Sequence, residues 1–154
     1  MSVAFRRDSD EEHLEPKFEL PVPLGPNLVT QRGLELIGRQ IGAFERKLAS
    51  AGDEATVAAA RRDLHYWRSR QITAELAPVP CGRTVQFGVT VHARVNGKTR
   101  SFAIVGDDEA DPAARTISFQ APLSKAMMGA EAGDIVPFGN LAEAIEILAI
   151  SVPD

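Results

Sequence analysis

The sequence predicts an α+β protein, an N-terminal antiparallel helical hairpin (a coiled coil) followed by an antiparallel β-sheet domain with one short helix. Apolar residues recur every three or four positions from Leu34 to Trp67, the period of one helix face. From Phe87 to Val95 they recur at every second position, the period of a strand buried on one side. Between the two regimes stand Pro78 and Pro80, which a helix cannot continue through.

Residues 1–27 combine many charges with Pro16, Pro21, Pro23 and Pro26. That composition cannot sustain a helix and has too little apolar content to bury itself, so an extended or disordered leader is expected. Its apolar stretch from Phe18 to Leu24 is a candidate docking segment.

Residues 28–77 read as the hairpin. Thr30 is a capping residue, and Leu34, Ile37, Ile41, Phe44 and Leu48 then fall on one helix face. Gly52 can terminate this helix and Asp53 can cap the next, in which Val57, Ala60, Leu64 and Trp67 keep the spacing as far as about Leu76. A connection this short folds the second helix back on the first, stripe against stripe. Each helix of about 20 residues is about 30 Å long. Trp67, beside His65 and Tyr66, falls on the seam, whereas Arg61, Arg62, Arg68 and Arg70 read as a basic solvated face.

Past Pro80 the alternation of Phe87, Val89, Val91, Ala93 and Val95 gives a first strand. Asn96-Gly97 accepts positive φ at both central turn positions and should reverse the chain into a second strand with Phe102 and Ile104 inward. Further strands are predicted at Thr116 to Gln120, Ile135 to Phe138 and Ala144 to Ile150. A short helix should start at Pro122 and run to Met128 before Gly129, with Met127 and Met128 filling the core.

Composition excludes several functions. Of 154 residues 44% are hydrophobic and 25% charged, and no apolar run approaches the length needed to span a membrane. The N-terminus lacks the apolar core of a secretory signal, so a cytoplasmic protein is expected. Cys81 is the single cysteine and has no visible partner base, and His13, His65 and His92 are scattered, so no Cys/His metal site is read. A net charge of -4 argues against phosphate-backbone binding as the main source of affinity, and sequence-specific DNA binding is not expected. A protein partner fits better.

The run Phe102-Ala103-Ile104-Val105-Gly106-Asp107-Asp108-Glu109-Ala110-Asp111-Pro112 resembles the signature of the C-terminal domain of the GreA/GreB transcription elongation factor family. The likeness continues through Ile117-Ser118, Ala121 to Gly129 and Ala132-Gly133-Asp134. Upstream, Leu28-Val29-Thr30-Gln31-Arg32-Gly33 is similar to the opening of the family's first coiled-coil helix. The resemblance implies an FKBP-like sheet domain over residues 82–152 and a partner in bacterial RNA polymerase. The protein would dock at the secondary channel, near the RNA 3′ end, as an elongation factor that is not itself an enzyme. Asp107, Asp108, Glu109, Asp111 and Pro112 are the implied polymerase-binding residues, and Asp53 and Glu54 the implied hairpin-tip acids. In cleavage-stimulating members the tip carboxylates help hold a magnesium ion shared with polymerase, so no resident cofactor is implied. The tip departs from the family pattern. The family places a Glu-Asn pair and an aromatic residue after its Gly-Asp, where this chain reads Glu54-Ala55-Thr56-Val57, and the hairpin is about ten residues shorter per arm, a loss of roughly 15 Å of reach. The alternative implied function is a cleavage-inactive channel-binding competitor, like the short-hairpin member known as a regulator of nucleoside diphosphate kinase. A peptidyl-prolyl isomerase would share only the fold. A plain interaction module is the remaining class.

Overall fold

The computed structural model describes residues 19–153, so most of the leader, including Phe18, lies outside the described residues. Chain contacts divide the protein into two compact units, one containing Ile37–Ile72 and the other Gly25–Leu36 with Thr73–Asp154.

Two helices, α1 (Gln31–Ser50) and α2 (Glu54–Thr73), make the hairpin. Both start where a side chain satisfies an otherwise unpaired N–H. The Gly33 N–H donates to Thr30 Oγ1 at 3.0 Å, and the Thr56 N–H donates to Asp53 Oδ2 at 3.3 Å. The short link through Gly52 turns the chain back, and the Arg68 guanidinium donates to Glu45 Oε2 at 2.9 Å across the two antiparallel helices. Ile37, Ala60 and Leu64 are buried, while Leu34, Ile41, Phe44, Leu48, Val57 and Trp67 are half-buried, as the three-four spacing requires. Trp67 meets Tyr66 edge to face. Arg70 departs from the expected solvated basic face: it is buried, with 2% of its surface exposed, whereas Arg61, Arg62 and Arg68 are exposed.

Helix α2 ends at Thr73 rather than near Leu76. Pro78 would have clashed with the carbonyl four residues back, so the last turn before it is weak. Those residues instead form a strand: β2 (Glu75–Leu76) pairs in parallel with β1 (Leu28–Val29), through Glu75 N–H to Asn27 O at 2.9 Å and Ala77 N–H to Val29 O at 3.0 Å. Asn27 Nδ2 also donates to Thr73 Oγ1. Pairing between segments so far apart in the chain leaves no periodic signal in either.

The sheet domain holds β3 (Thr90–Val95), β4 (Lys98–Val105), β5 (Thr116–Ser118), β6 (Ile135–Phe138) and β7 (Leu141–Ser151), in the spatial order β5-β4-β3-β7-β6. Asn96 (φ 52°) and Gly97 (φ 79°) make the anticipated β3–β4 turn, which aligns Val95 with Lys98 and Thr90 with Ala103. Three of the neighbouring pairs are antiparallel, but β5 runs parallel to β4, so the sheet is mixed at that edge. The connection after Val105 is long enough to carry the chain back before β5 begins, which a tight hairpin could not do.

Helix α3 (Pro122–Met127) starts with proline at its first turn and packs beneath the sheet. The core is Val85, Val89, Val91, Ala93, Ile104, Met127, Ala130, Ile145 and Ile147. Phe102 packs against it from a half-buried position, and Phe87, which precedes β3 instead of belonging to it, meets Phe119 edge to face with ring centroids 5.4 Å apart. Met127 is fully buried but Met128 is 41% exposed, correcting the expectation that both fill the core. Successive helical side chains point about 100° apart, so one buried face cannot hold both.

Candidate functional site

The acidic loop leaves β4 at Gly106 and returns at Arg115, and its carboxylates are held by the fold. Asp107 accepts from Ser118 Oγ at 2.5 Å on one oxygen and from Gln120 Nε2 at 2.7 Å on the other, which ties the loop's start to the far end of β5. Glu109 accepts at 2.5 Å from Thr30 Oγ1, the same hydroxyl that caps α1. A relay thus runs from the Gly33 N–H to the Thr30 hydroxyl to the Glu109 carboxylate, placing a negative charge beside a helix N-terminus. Gly33 is buried, and a Cβ there would lie 2.8 Å from Glu109 Oε1.

The outer part of the loop is a short 3₁₀ turn, Pro112–Ala114, capped by Asp111, whose Oδ1 accepts from the Ala113 N–H at 3.0 Å. Thr116 closes its base, with Oγ1 accepting from the Asp111 N–H at 2.7 Å and donating to Glu109 O at 3.1 Å. Arg115 ends the turn in the left-handed region at φ 60°. Asp107, Asp108 and Glu109 are half-buried, whereas Asp111, Pro112 and Arg115 are exposed. The residues implied to bind polymerase therefore divide: Asp107 and Glu109 brace the domain, and the Asp111–Arg115 turn is exposed.

Gly106 is the point of closest approach between the loop and β1. A Cβ there would sit 2.4 Å from Leu28 O, so β1 passes against the loop only because this residue has no side chain. Neither this approach nor the Thr30–Glu109 bond, between residues 79 apart, carries a short-range sequence signal. Ser118 stands in the family likeness and Gln120 at the end of an expected strand, but neither position in the sequence shows that it holds Asp107.

At the hairpin tip the Thr56 hydroxyl donates to Asp53 Oδ1 at 2.6 Å and the Thr56 N–H donates to Oδ2. The Thr56 hydroxyl and then its backbone N–H hold the Asp53 carboxyl below the usual aspartate range. Glu54 is exposed in the first turn of α2. Both Asp53 oxygens are thus engaged in capping. Among the described residues no group of three Asp, Glu, His or Cys side chains is placed to hold a metal ion. The donor set at the tip does not by itself fit a bound cation. Cys81 is exposed, its Sγ 3.6 Å from Gln86 Oε1.

Residues 80–152, which hold the sheet domain and its braced loop, match the family model described as the C-terminal domain of transcription elongation factors GreA and GreB. The likeness is to the C-terminal domain of the GreA/GreB family and covers just under half of the chain. Over 76 residues it is 42% identical to the transcription elongation factor GreA of Desulfovibrio desulfuricans, covering 46% of each chain. It is 38% identical over 76 residues to that of Allorhizobium ampelinum, covering 46% of this chain and 47% of the relative. The chain thus spans about half the length of these curated relatives. The crystal structure of the GreA factor homolog 1 protein of Thermus thermophilus is similar at 18% identity and a TM-score of 0.38, over 82% of this chain and 99% of that one. No helix among the described residues is long and apolar enough to cross a membrane.

Proposed function

We propose that this protein is a Gre-type regulator that docks on bacterial RNA polymerase at the secondary channel and acts on elongation without chemistry of its own. The observation that carries the reading is the family match over residues 80–152, together with an exposed Asp111–Arg115 turn whose base is hydrogen-bonded by Thr116. An exposed Asp111 beside Pro112 is suited to a basic partner surface and makes association sensitive to salt.

Of the two activities open to such a regulator, the cleavage-inactive competitor is favoured by the tip. Each Asp53 oxygen accepts a hydrogen bond from Thr56, which fixes the carboxylate toward the start of α2, and Glu54 is the next residue, about 100° round the helix axis. Helices of 20 residues give an arm of about 30 Å, which can occlude a channel without presenting a paired carboxylate at its end. A magnesium ion held by polymerase would gain at most an additional ligand from Asp53 or Glu54 in this reading.

The test is transcript cleavage by purified polymerase on a backtracked elongation complex. The protein should not accelerate cleavage, and it should slow cleavage stimulated by an authentic Gre factor in proportion to its concentration. Acceleration abolished by Asp53→Ala/Glu54→Ala would instead establish a cleavage factor. Failure to bind polymerase at all would overturn both readings.

A further inference from the structure

The outer edge of β4 is open where a strand would be expected. Strand β5 pairs with β4 only over Ala103–Val105, whereas β3 pairs with it from Lys98 onward, so among the described residues Lys98–Phe102 has a strand partner on one side only. The Ala103 N–H donates to Arg115 O and Val105 O accepts from the Phe119 N–H, while Ile104 bonds Gly88 and Val89 on the opposite side. Alternation along the strand therefore directs the N–H and C=O groups of Thr99 and Ser101 to the open edge.

A groove runs along this edge. Pro112, Phe102 and Ile117 supply apolar wall, Lys98, Arg100 and Arg115 supply three cations, and no lining residue is acidic. The nearby Asp111 has its carboxylate turned to the Ala113 N–H. This local excess of positive charge stands in a chain of net charge -4, so it is not a general property of the surface. Lys98 and Arg100 are two residues apart on one strand face, about 7 Å, the repeat of a neighbouring strand carrying an acidic side chain at every second position. Exposed lysine on an edge also discourages strand addition between copies of one chain, because cations would face cations.

We propose that this groove receives an extended acidic segment of a partner protein, added as a strand on β4. Its main chain bonds Thr99 and Ser101, and its carboxylates face Lys98, Arg100 and Arg115. A nucleic-acid backbone would satisfy the cations but not the exposed peptide groups. The groove shares Pro112 and Arg115 with the Asp111–Arg115 turn, but its test does not require polymerase, so its failure is distinguishable from failure of docking through that turn.

The test uses the full chain, isotopically labelled, and a fluorescein-tagged hexapeptide of alternating Glu and Val. Saturable binding should shift the Thr99 and Ser101 amides and weaken about tenfold in Lys98→Glu/Arg100→Glu. It should weaken by a similar factor when the peptide's strand-pairing amides are N-methylated. Arg115→Gln, outside β4, should weaken binding even if the double variant does not fold. No saturable binding up to about 1 mM, a weak affinity by the usual conversion, would overturn the proposal. So would equal binding of the N-methylated peptide, shifts confined to other surfaces, or tighter binding of a single-stranded RNA hexamer.

Discussion

Substituting Gly106 by alanine tests how β1 is held against the sheet domain. The new Cβ would lie 2.4 Å from Leu28 O, and a separation of even 3.0 Å requires the two backbones to part by about 0.6 Å. Neither atom belongs to a flexible side chain, so the strain cannot be relieved by a rotamer change. Gly106 is not in the left-handed region, and the effect is therefore steric with no contribution from φ. Overpacking at this level costs about 1–3 kcal/mol. Parting Leu28 from the loop also strains the Asn27–Glu75 and Val29–Ala77 backbone bonds, each worth about 0.5–1.5 kcal/mol. A loss of about 2–4 kcal/mol in the stability of the sheet domain is expected. Urea unfolding should show a lower midpoint with an unchanged slope, and hydrogen exchange should show lost protection at Glu75 and Ala77 while β3 remains protected. Gly52→Ala is the control, because nothing lies within 4 Å of a Cβ there. Stability and exchange in Gly106→Ala equal to those of the control would refute the assigned close approach.

Thr30→Val removes both the α1 cap and the donor to Glu109, and should destabilise by about 2–3 kcal/mol in urea unfolding, with Thr30→Ser restoring most of it. Asp53 gives a pH dependence of known sign. Its folded pKa is depressed, so its stabilisation of the start of α2 is present above the unfolded value, near pH 4, and is lost as pH falls through the folded value. Protection of the Thr56 amide, taken relative to its intrinsic exchange rate at each pH, should therefore fall on acidification through that range in the wild type, and Asp53→Ala should be weakly protected throughout with no such step.

Repeating local patterns in the sequence were enough to specify most elements. The three-four stripe from Leu34 to Trp67, the caps Thr30 and Asp53, the Asn96-Gly97 reversal and the proline start of α3 each act through neighbours a few residues away, so each is visible in order along the chain. The acidic run after Val105 stands out as a dense local pattern, but only its resemblance to the GreA/GreB signature implied a polymerase-binding role. Its internal roles were not legible. Whether Glu109 faces a partner or braces Thr30, whether Asp107 is solvated or held by Ser118 and Gln120, and whether Glu75 ends a helix or pairs with Leu28 depend on groups brought together from distant parts of the chain. The parallel placement of β5, and with it the open edge of β4, was decided by the route of the loop rather than by any strand's composition. Propensity and period act over one or two turns of chain, while these contacts are chosen by which distant partner satisfies a buried donor or leaves space for a backbone. Only the tertiary structure determines that choice.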